Sequence, residues 1–591
     1  MFDPRIYRAA LLPAVAALAV VMFSFQPIPN PLPPPVATPT FDGSEAARTA
    51  RSIVSLAPDR TPGSDGDRAV ADLVEERFTG IEGGQVSTQT FDSSFDGEDV
   101  TLENVILTLP GISDRTILVV AARDAPEGTG ATTSASATST LLGLADDLGR
   151  SRRNKTMIFA STDGGGDGTE GVEELIDALP QPENVEAAFV IAQPGVPEPK
   201  APFVIGAGSG PDSPSAQLVQ TARDIATAKF AERDPAPGPW VGLSRLAFPG
   251  GLGEQVALRR AGIEALGISA HGERPVPAAE AGPEAISSET LDASGATMLE
   301  LLLTLDHTDE PIDEGPDEYI RIGDNLVPGW TLSLLAVALL LAPLLTAGDT
   351  WLREHRNDWR VRKTLFWAGE RVLIPFAALL LTYVLGFVGL IPDPAFPYDP
   401  ALHGPGAAGP VAFAAVAGAV AIAVLLVRPM RTPLDAEPQT LAAAAGLLTG
   451  LSVLCVWLIN PYLALLLTPT AHVWLLAARA AGPPSAVVLG IAGLVSLVPA
   501  LLAFATWADQ LGLGLSAPWH LLLMIADHEI GFLLGLFWCG VIGGLIAVVS
   551  SAGGIARSLP PIGPRGSIRG AGSHAGPGAL GASPPAVRRR D

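Results

Sequence analysis

The sequence predicts two architectures in one chain: an α/β layered domain outside a membrane and an all-α transmembrane bundle. Three observations predict it. Residues 41–330 hold 48 acids and 20 bases, against 13 acids and 17 bases elsewhere in the 591 residues, so the net charge of −24 belongs to one region. Charged residues make up 17% and hydrophobic ones 48%, whereas a soluble domain carries about 25% charged. Within the acidic region, short β-rich runs alternate with amphipathic stretches, as a layered α/β domain requires.

Residues 1–26 read as an N-terminal signal anchor, because the apolar run 9–25 follows Arg5 and Arg8 and no small-x-small cleavage site follows it. A Pro-rich linker, 27–44, leads into a domain expected over 45–308. In that domain the runs starting at Asn104, Thr116, Thr156, Ala187 and Phe203 are expected strands. The stretches from Asp67 and Thr138 space apolar residues by three and four, as a helix with one buried face does. Nearly continuous apolar strands imply a sheet covered on both faces, with ligands gathering at the strands' carboxyl ends. Residues 309–328 are expected as an acidic linker whose run Asp306 to Glu318 is a solvated spacer, 329–553 as a seven-helix bundle, and 554–591 as a disordered basic tail.

Crossing hydrocarbon takes about 20 apolar residues in a helix that satisfies its own backbone. Seven runs after the α/β region qualify: 329–348, 372–391, 410–427, 439–459, 462–480, 485–506 and 530–552. Arg and Lys mark the cytoplasmic side. They fall at Arg353, Arg356, Arg360, Arg362, Lys363 and Arg371, at Arg428 and Arg431, at Arg479, and at Arg588, Arg589 and Arg590, while 392–409 and 507–520 carry none. This pattern puts both termini in the cytoplasm and residues 41–328 outside, in a multi-pass protein of the cytoplasmic membrane. The segment Trp351 to Trp367 mixes aromatics with the basic cluster, which suits either a helix on the anionic inner surface or an ordinary inner loop.

Some partners are excluded. The acidic region lacks the cationic face that nucleic acid needs. Cys455 and Cys539 sit in apolar runs and cannot staple it with disulfides. Arg outnumbers Lys 33 to 4, which with abundant Ala, Gly and Pro fits a GC-rich bacterial source.

The order of segments is specific. RTPGSDGDRAVADLVEERF from Arg60, NVILTLPG, RTILVVAARDAP, GATTSASATSTLLGLADDL, TMIFASTDGGGDGTEG and RRAGIEALGISAHGE follow one another between about 45 and 308. They resemble the landmarks of the double-zinc aminopeptidases, the M-28 metallopeptidases. The resemblance implies a three-layer sandwich with a central mixed sheet. It also implies two zinc ions sharing a bridging Asp, and a Glu, next to a zinc-ligating Glu, that activates the attacking water.

This sequence departs from that pattern at nearly every ligand. The expected His-x-Asp reads Ala122-Arg123-Asp124, keeping only the orienting Asp. Thr133 stands at the bridging Asp, Gly165 and Gly166 replace the paired glutamates, and Gln193 replaces the Asp after the strand at Ala187, while the late His survives as His271. Thr, Gln and Gly cannot replace carboxylates at neutral pH, and zinc needs three or four N, S or O donors. No double-zinc centre and no cofactor are expected, with Asp124 and Gly165 as relics of the catalytic positions. Asp163, Asp167 and His271, with Asp124, would hold zinc only in a rearranged site, and Glu170, Glu173 and Glu174 read as first-turn acids of a helix. Gly206 to Gly210 lacks the Lys-Ser/Thr of a phosphate loop.

Asn460, His472 and the trio Asp527, His528 and Glu529 need an explanation inside or beside hydrocarbon. The trio is expected at the membrane interface facing the outer domain, and His472 in an interhelical hydrogen bond. One anchor, a peptidase-like domain and a helical bundle also resemble the large subunit of the glycosylphosphatidylinositol transamidase and endoplasmic-reticulum metallopeptidases. The expected function is a non-catalytic pseudo-peptidase, fixed to the lipid bilayer, that binds a peptide, protein or lipid-linked partner. The alternatives are a membrane-bound zinc aminopeptidase with a rearranged site, and a transporter with an accessory domain.

Overall fold

The computed structural model describes residues 4–35, 39–95, 98–313, 315–355, 361–392, 394, 396–427, 438–478 and 485–558. Arg356, Arg360, Arg428, Arg431, Arg479, Arg588, Arg589, Arg590 and the tail from 559 on lie outside the described residues.

Ten strands are described: β1 Gln26–Pro27, β2 Gln85–Phe95, β3 Glu98–Leu109, β4 Thr116–Ala122, β5 Thr156–Thr162, β6 Val185–Ala192, β7 Val204–Ile205, β8 Ala265–Ser269, β9 Tyr319–Ile322 and β10 Asn325–Pro328. Seven of them form one mixed sheet in the order β2-β3-β5-β4-β6-β8-β7. The pairs β5/β4, β4/β6 and β6/β8 are parallel, while β2/β3, β3/β5 and β7/β8 are antiparallel. The parallel centre is the most apolar part. All of β4 but its last residue is buried, because helices cover both faces.

One face packs on helices Gly43–Leu56, Asp65–Thr79, Ser134–Gly149, Ala216–Phe230 and Ser288–Asp306, through residues such as Ile53, Phe78, Leu141 and Leu301. The other packs on Glu170–Ala178 and Gln255–Arg260 through Val172, Leu175 and Leu258. This mixed, helix-covered sheet matches the layered α/β architecture expected for the domain. The stretches from Asp67 and Thr138 form helices as expected, the first capped by the Ser64 side chain accepting from the Asp67 N–H at 3.1 Å.

The stretches expected as linkers carry strand pairing, while most of the described residues from 309 to 318 are exposed. β1 pairs with β10, and β10 with β9, so the chain enters and leaves the α/β domain through one three-stranded sheet. Leu32, in the Pro-rich stretch, is buried and donates its N–H to Thr221 Oγ1 at 2.9 Å. In the acidic stretch, β9 and β10 meet at a two-residue turn with Gly323 at φ 62°. A left-handed first turn residue matches the twist of a tight hairpin, and glycine supplies it without a Cβ clash.

Among the described residues, six helices are long and apolar enough to cross a membrane, which fits a multi-pass membrane protein: Pro4–Phe23, Gly329–Arg353, Ala408–Val427, Gln439–Ile459, Ala486–Gln510 and Phe532–Ala552. A seventh crossing arises if the pair Lys363–Glu370 and Leu373–Phe387, bent by 42°, is one span. The expected span over 462–480 is corrected: it is a helix Pro461–Leu467, a 3-10 turn Thr468–His472 and a short helix Trp474–Ala477. Pro469 lacks the N–H that would continue the first helix, and the chain tightens there. A further helix, Ala517–Ala526, was not expected.

The α/β domain seats directly on the bundle. Asn460 caps the helix after it, accepting from the Tyr462 and Leu463 N–H groups at 3.0 and 2.9 Å, and donates to the Leu246 and Ala247 carbonyls at 3.0 and 3.2 Å. Trp507 Nε1 donates to the Gly250 carbonyl and Trp240 Nε1 to Thr506 Oγ1, both at 3.0 Å. His472 bonds the Thr468 carbonyl of its own turn through Nδ1 at 2.9 Å, and its ring meets Tyr7 edge-on at 6.1 Å.

Candidate binding site at the strand ends

β4, β5, β6 and β8 end side by side, and the loops leaving them enclose a cavity of about 210 Å³. Ala122, Asp124, Thr133, Gly165, Gly166, Asp167 and Gln193 all line it. The sequence pattern therefore brings these positions together. His271 and Asp163 do not line it.

Alternation past the end of β4 explains why Arg123 and Asp124 part company. Asp124 faces the cavity rim and accepts the Gly165 N–H at 3.0 Å and the Gly166 N–H at 3.0 Å. Burial pushes its pKa up to about 8, with Asp67 adding to the rise and the Gly166 N–H opposing it. Arg123 turns the other way, fully buried, and pairs with Asp67 at 2.7 Å and Asp163 at 3.4 Å. Asp163 also accepts the Glu103 N–H, so its carboxylate belongs to this buried cluster. Arg60, equally buried, donates to the Arg123, Ala57 and Thr129 carbonyls and to Ser134 Oγ, which fixes the loop beside Asp124.

The two glycines have no room for side chains. A Cβ on Gly165 would lie 2.7 Å from Glu254 Oε1 and 2.8 Å from Ala122 Cβ. One on Gly166 would lie 2.5 Å from Pro126 Cδ and 2.6 Å from Asp124 Oδ2. Glu254, which precedes helix Gln255–Arg260, is the residue that sequence reasoning missed. It is 2% exposed, accepts from Thr162 Oγ1 at 2.6 Å, and lines the cavity. Burial pushes its pKa up to about 7, with Thr162 opposing and Glu170 adding. A single acid before a helix reads as an ordinary dipole partner, so the sequence carried no signal for it.

Gln193 sits at φ 50° with its Oε1 buried and unpartnered. Glu273 lines the cavity while paired with Arg245. His271 is half-buried, with Nδ1 3.1 Å from the Arg274 carbonyl.

The bundle roofs the cavity. Pro397, Tyr398, Asp399, Ala401 and Leu402, from the connection before helix Ala408–Val427, contribute to its lining. Asp167 holds this loop, accepting the Asp399 N–H at 2.7 Å and bonding His403 Nε2 at 2.9 Å. Trp519 Nε1 donates to the His403 carbonyl at 2.9 Å, and Tyr398 OH meets His520 Nδ1 at 3.1 Å. The trio at 527–529 divides between the two units. Asp527 accepts the Phe396 N–H at 3.2 Å, Glu529 lies 4.0 Å from Arg260, and His528, at φ 69°, bonds the Ala526 carbonyl.

These donors do not fit a double-zinc centre. Asp124 is held by backbone N–H groups, Asp163 by Arg123, Asp167 by the bundle loop, and His271 points to Arg274. Among the described residues, no three His, Cys, Asp or Glu side chains converge as metal ligands.

No family model and no curated protein matches the chain. Solved structures do resemble it. A glutaminyl cyclase from an Acidobacteriales bacterium is 16% identical, with TM-score 0.38, over 47% of this chain and 99% of that one. A zinc aminopeptidase from Bacillus subtilis is 14% identical, with TM-score 0.39, over 48% of this chain and 99% of that one. A leucine aminopeptidase precursor from Bacteroides thetaiotaomicron is 18% identical, with TM-score 0.35, over 46% and 99%.

Proposed function

We propose that this chain is a multi-pass membrane protein whose extracytoplasmic α/β domain is a pseudo-peptidase: a non-catalytic module that binds or scaffolds a peptide, protein or lipid-linked partner at the bilayer surface. The observation that carries the reading is the Glu254 carboxylate beside Gly165. The place of the expected base is filled by a residue from another loop, and that carboxylate is itself held by Thr162. Asp124, the one expected acid that remains in place, is locked by two backbone N–H groups and left without an imidazole partner on Ala122.

The bundle's contacts support the proposed orientation, with both termini cytoplasmic and 41–328 outside. Both connections free of Arg and Lys touch the α/β domain: 392–409 through Asp399 and His403 on Asp167, and 507–520 through Asp509 on Arg274. Arg353 lies near the far end of a helix whose other end, Gly329, follows β10 and donates its N–H to the Glu318 carbonyl.

Turnover tests the reading. The full chain in detergent, supplied with zinc and a panel of aminoacyl anilides, is expected to release no more product than a blank. Chelator-sensitive release that Asp124→Asn abolishes would overturn it.

A further inference from the structure

The α/β domain carries one uncharged stretch with an exposed flank beside the bundle. Residues 235–244 include no Asp, Glu, Lys, Arg or His, and Pro235, Pro237, Pro239 and Trp240 are exposed. The ions at its two ends are engaged within the domain: Asp234 is buried against Arg223, and Arg245 pairs with Glu273. Helix Pro239–Ala247 starts in this stretch and packs on helix Ala486–Gln510, with Leu246 and Ala247 buried. The Phe248 ring then meets Phe504 of that helix edge-on at 5.6 Å.

The place of Trp240 on the bundle decides what covers it. Along Ala486–Gln510 the residues Val487, Ile491, Leu494, Val498, Leu501 and Leu502 are all exposed and recur at helical spacing, so one stripe of the helix faces outward. In a helix that crosses a bilayer, such an apolar stripe faces lipid. The next turn of the stripe holds Thr506, whose Oγ1 accepts the indole N–H of Trp240 at 3.0 Å. One turn further comes Asp509, an exposed acid. From Val487 to Thr506 the helix runs about 28 Å, against a hydrocarbon core of about 30 Å. Trp240, 39% exposed, therefore sits where the apolar stripe gives way to polar groups, with its single donor satisfied and its ring uncovered. An indole so placed suits the boundary of a membrane, where one edge is wet and the ring is not.

We propose that residues 235–247 are an interfacial anchor of the α/β domain, seating Trp240 between the headgroups and the acyl chains of the leaflet on that domain's side. The surface takes a lipid bilayer, because it continues the outward stripe of a membrane-crossing helix. The anchor is joined to the cavity wall. The Gly250 carbonyl accepts from Trp507 Nε1 and from Arg245, and Leu252, Gly253 and Glu254 of the lining follow it directly. Residues 235–247 thereby fix the height of that wall above the bilayer. This inference rests on the reading of the bundle as membrane-spanning.

The test uses the full chain in phosphatidylcholine nanodiscs. Tryptophan emission of the parent minus that of Trp240→Phe gives the Trp240 signal. This signal is expected to be quenched by phosphatidylcholine brominated near the top of the acyl chain, less by lipid brominated near the methyl end, and little by iodide in the water. Pro237→Trp puts a second reporter in the same stretch, with the same expectation, and serves if Trp240→Phe does not fold. A signal quenched by iodide and not by brominated lipid puts the stretch in water, and one quenched by neither puts it under a protein partner; either overturns the inference. The emission that remains in Trp240→Phe separates the failures. If brominated lipid quenches that emission and spares Trp240, this inference alone fails; if it quenches neither, the reading of a membrane-spanning bundle fails as well.

Discussion

Glu254 Oε1 stands 2.7 Å from where a Cβ on Gly165 would project, so the two positions exclude each other. Restoring the expected glutamate therefore works against the present fold. Gly165→Glu is expected to lower stability by about 1–3 kcal/mol through overpacking, and Gly165→Glu with Glu254→Ala to recover part of that loss. Thermal unfolding of the two variants measures it; additive losses would contradict the exclusion.

Glu254 and Asp124 also set a pH dependence. Both have folded pKa values raised by burial, to about 7 and about 8, above ordinary carboxylate values. The folded state then holds more protons than the unfolded one between about pH 4 and pH 8, so stability falls as pH rises through that window. Melting temperature is expected to decline from pH 5 to pH 8.5, and less steeply in Glu254→Gln. A melting temperature that climbs over this range would refute the assignment.

Asp167 fastens the roof by accepting the Asp399 N–H and bonding His403. Asp167→Ala leaves both without that partner. Amide exchange over residues 397–403 should quicken while exchange in β4 stays as it was. Unaltered exchange in the loop would show that Asp167 does not hold it.

Asn460 joins the two units from the bundle side. Asn460→Ala removes a helix cap and two bonds to the Leu246 and Ala247 carbonyls, an expected cost of about 1–2 kcal/mol. A denaturant midpoint equal to that of the parent would count against this role.

The parallel core strands were legible because β4 and β6 are almost wholly apolar and β5 has an apolar centre from Met157 to Ala160, and only a sheet covered on both faces tolerates that. β2 escaped notice because it is a half-exposed outer strand, QVSTQTFDSSF, with three apolar residues in eleven. The β9–β10 hairpin was legible in IRI-GD-NLV, a Gly-led pair between apolar runs, yet the acids before it drew the reading toward a solvated spacer.

At the site, Ala122, Asp124, Thr133, Gly165, Gly166 and Gln193 were grouped only by the resemblance to the M-28 metallopeptidases, and all six line the cavity. Glu254, Glu273 and the bundle's roof were outside that group, since each reaches the cavity by tertiary packing that no local spacing encodes. Asp163 shows the same limit: only the fold reveals that it faces Arg123.

The most direct test of the central claim is the zinc content of the full chain, purified without chelator and dialysed against micromolar zinc, by mass spectrometry. Far less than one zinc per chain is the expected result. Two retained zinc ions per chain would contradict the account.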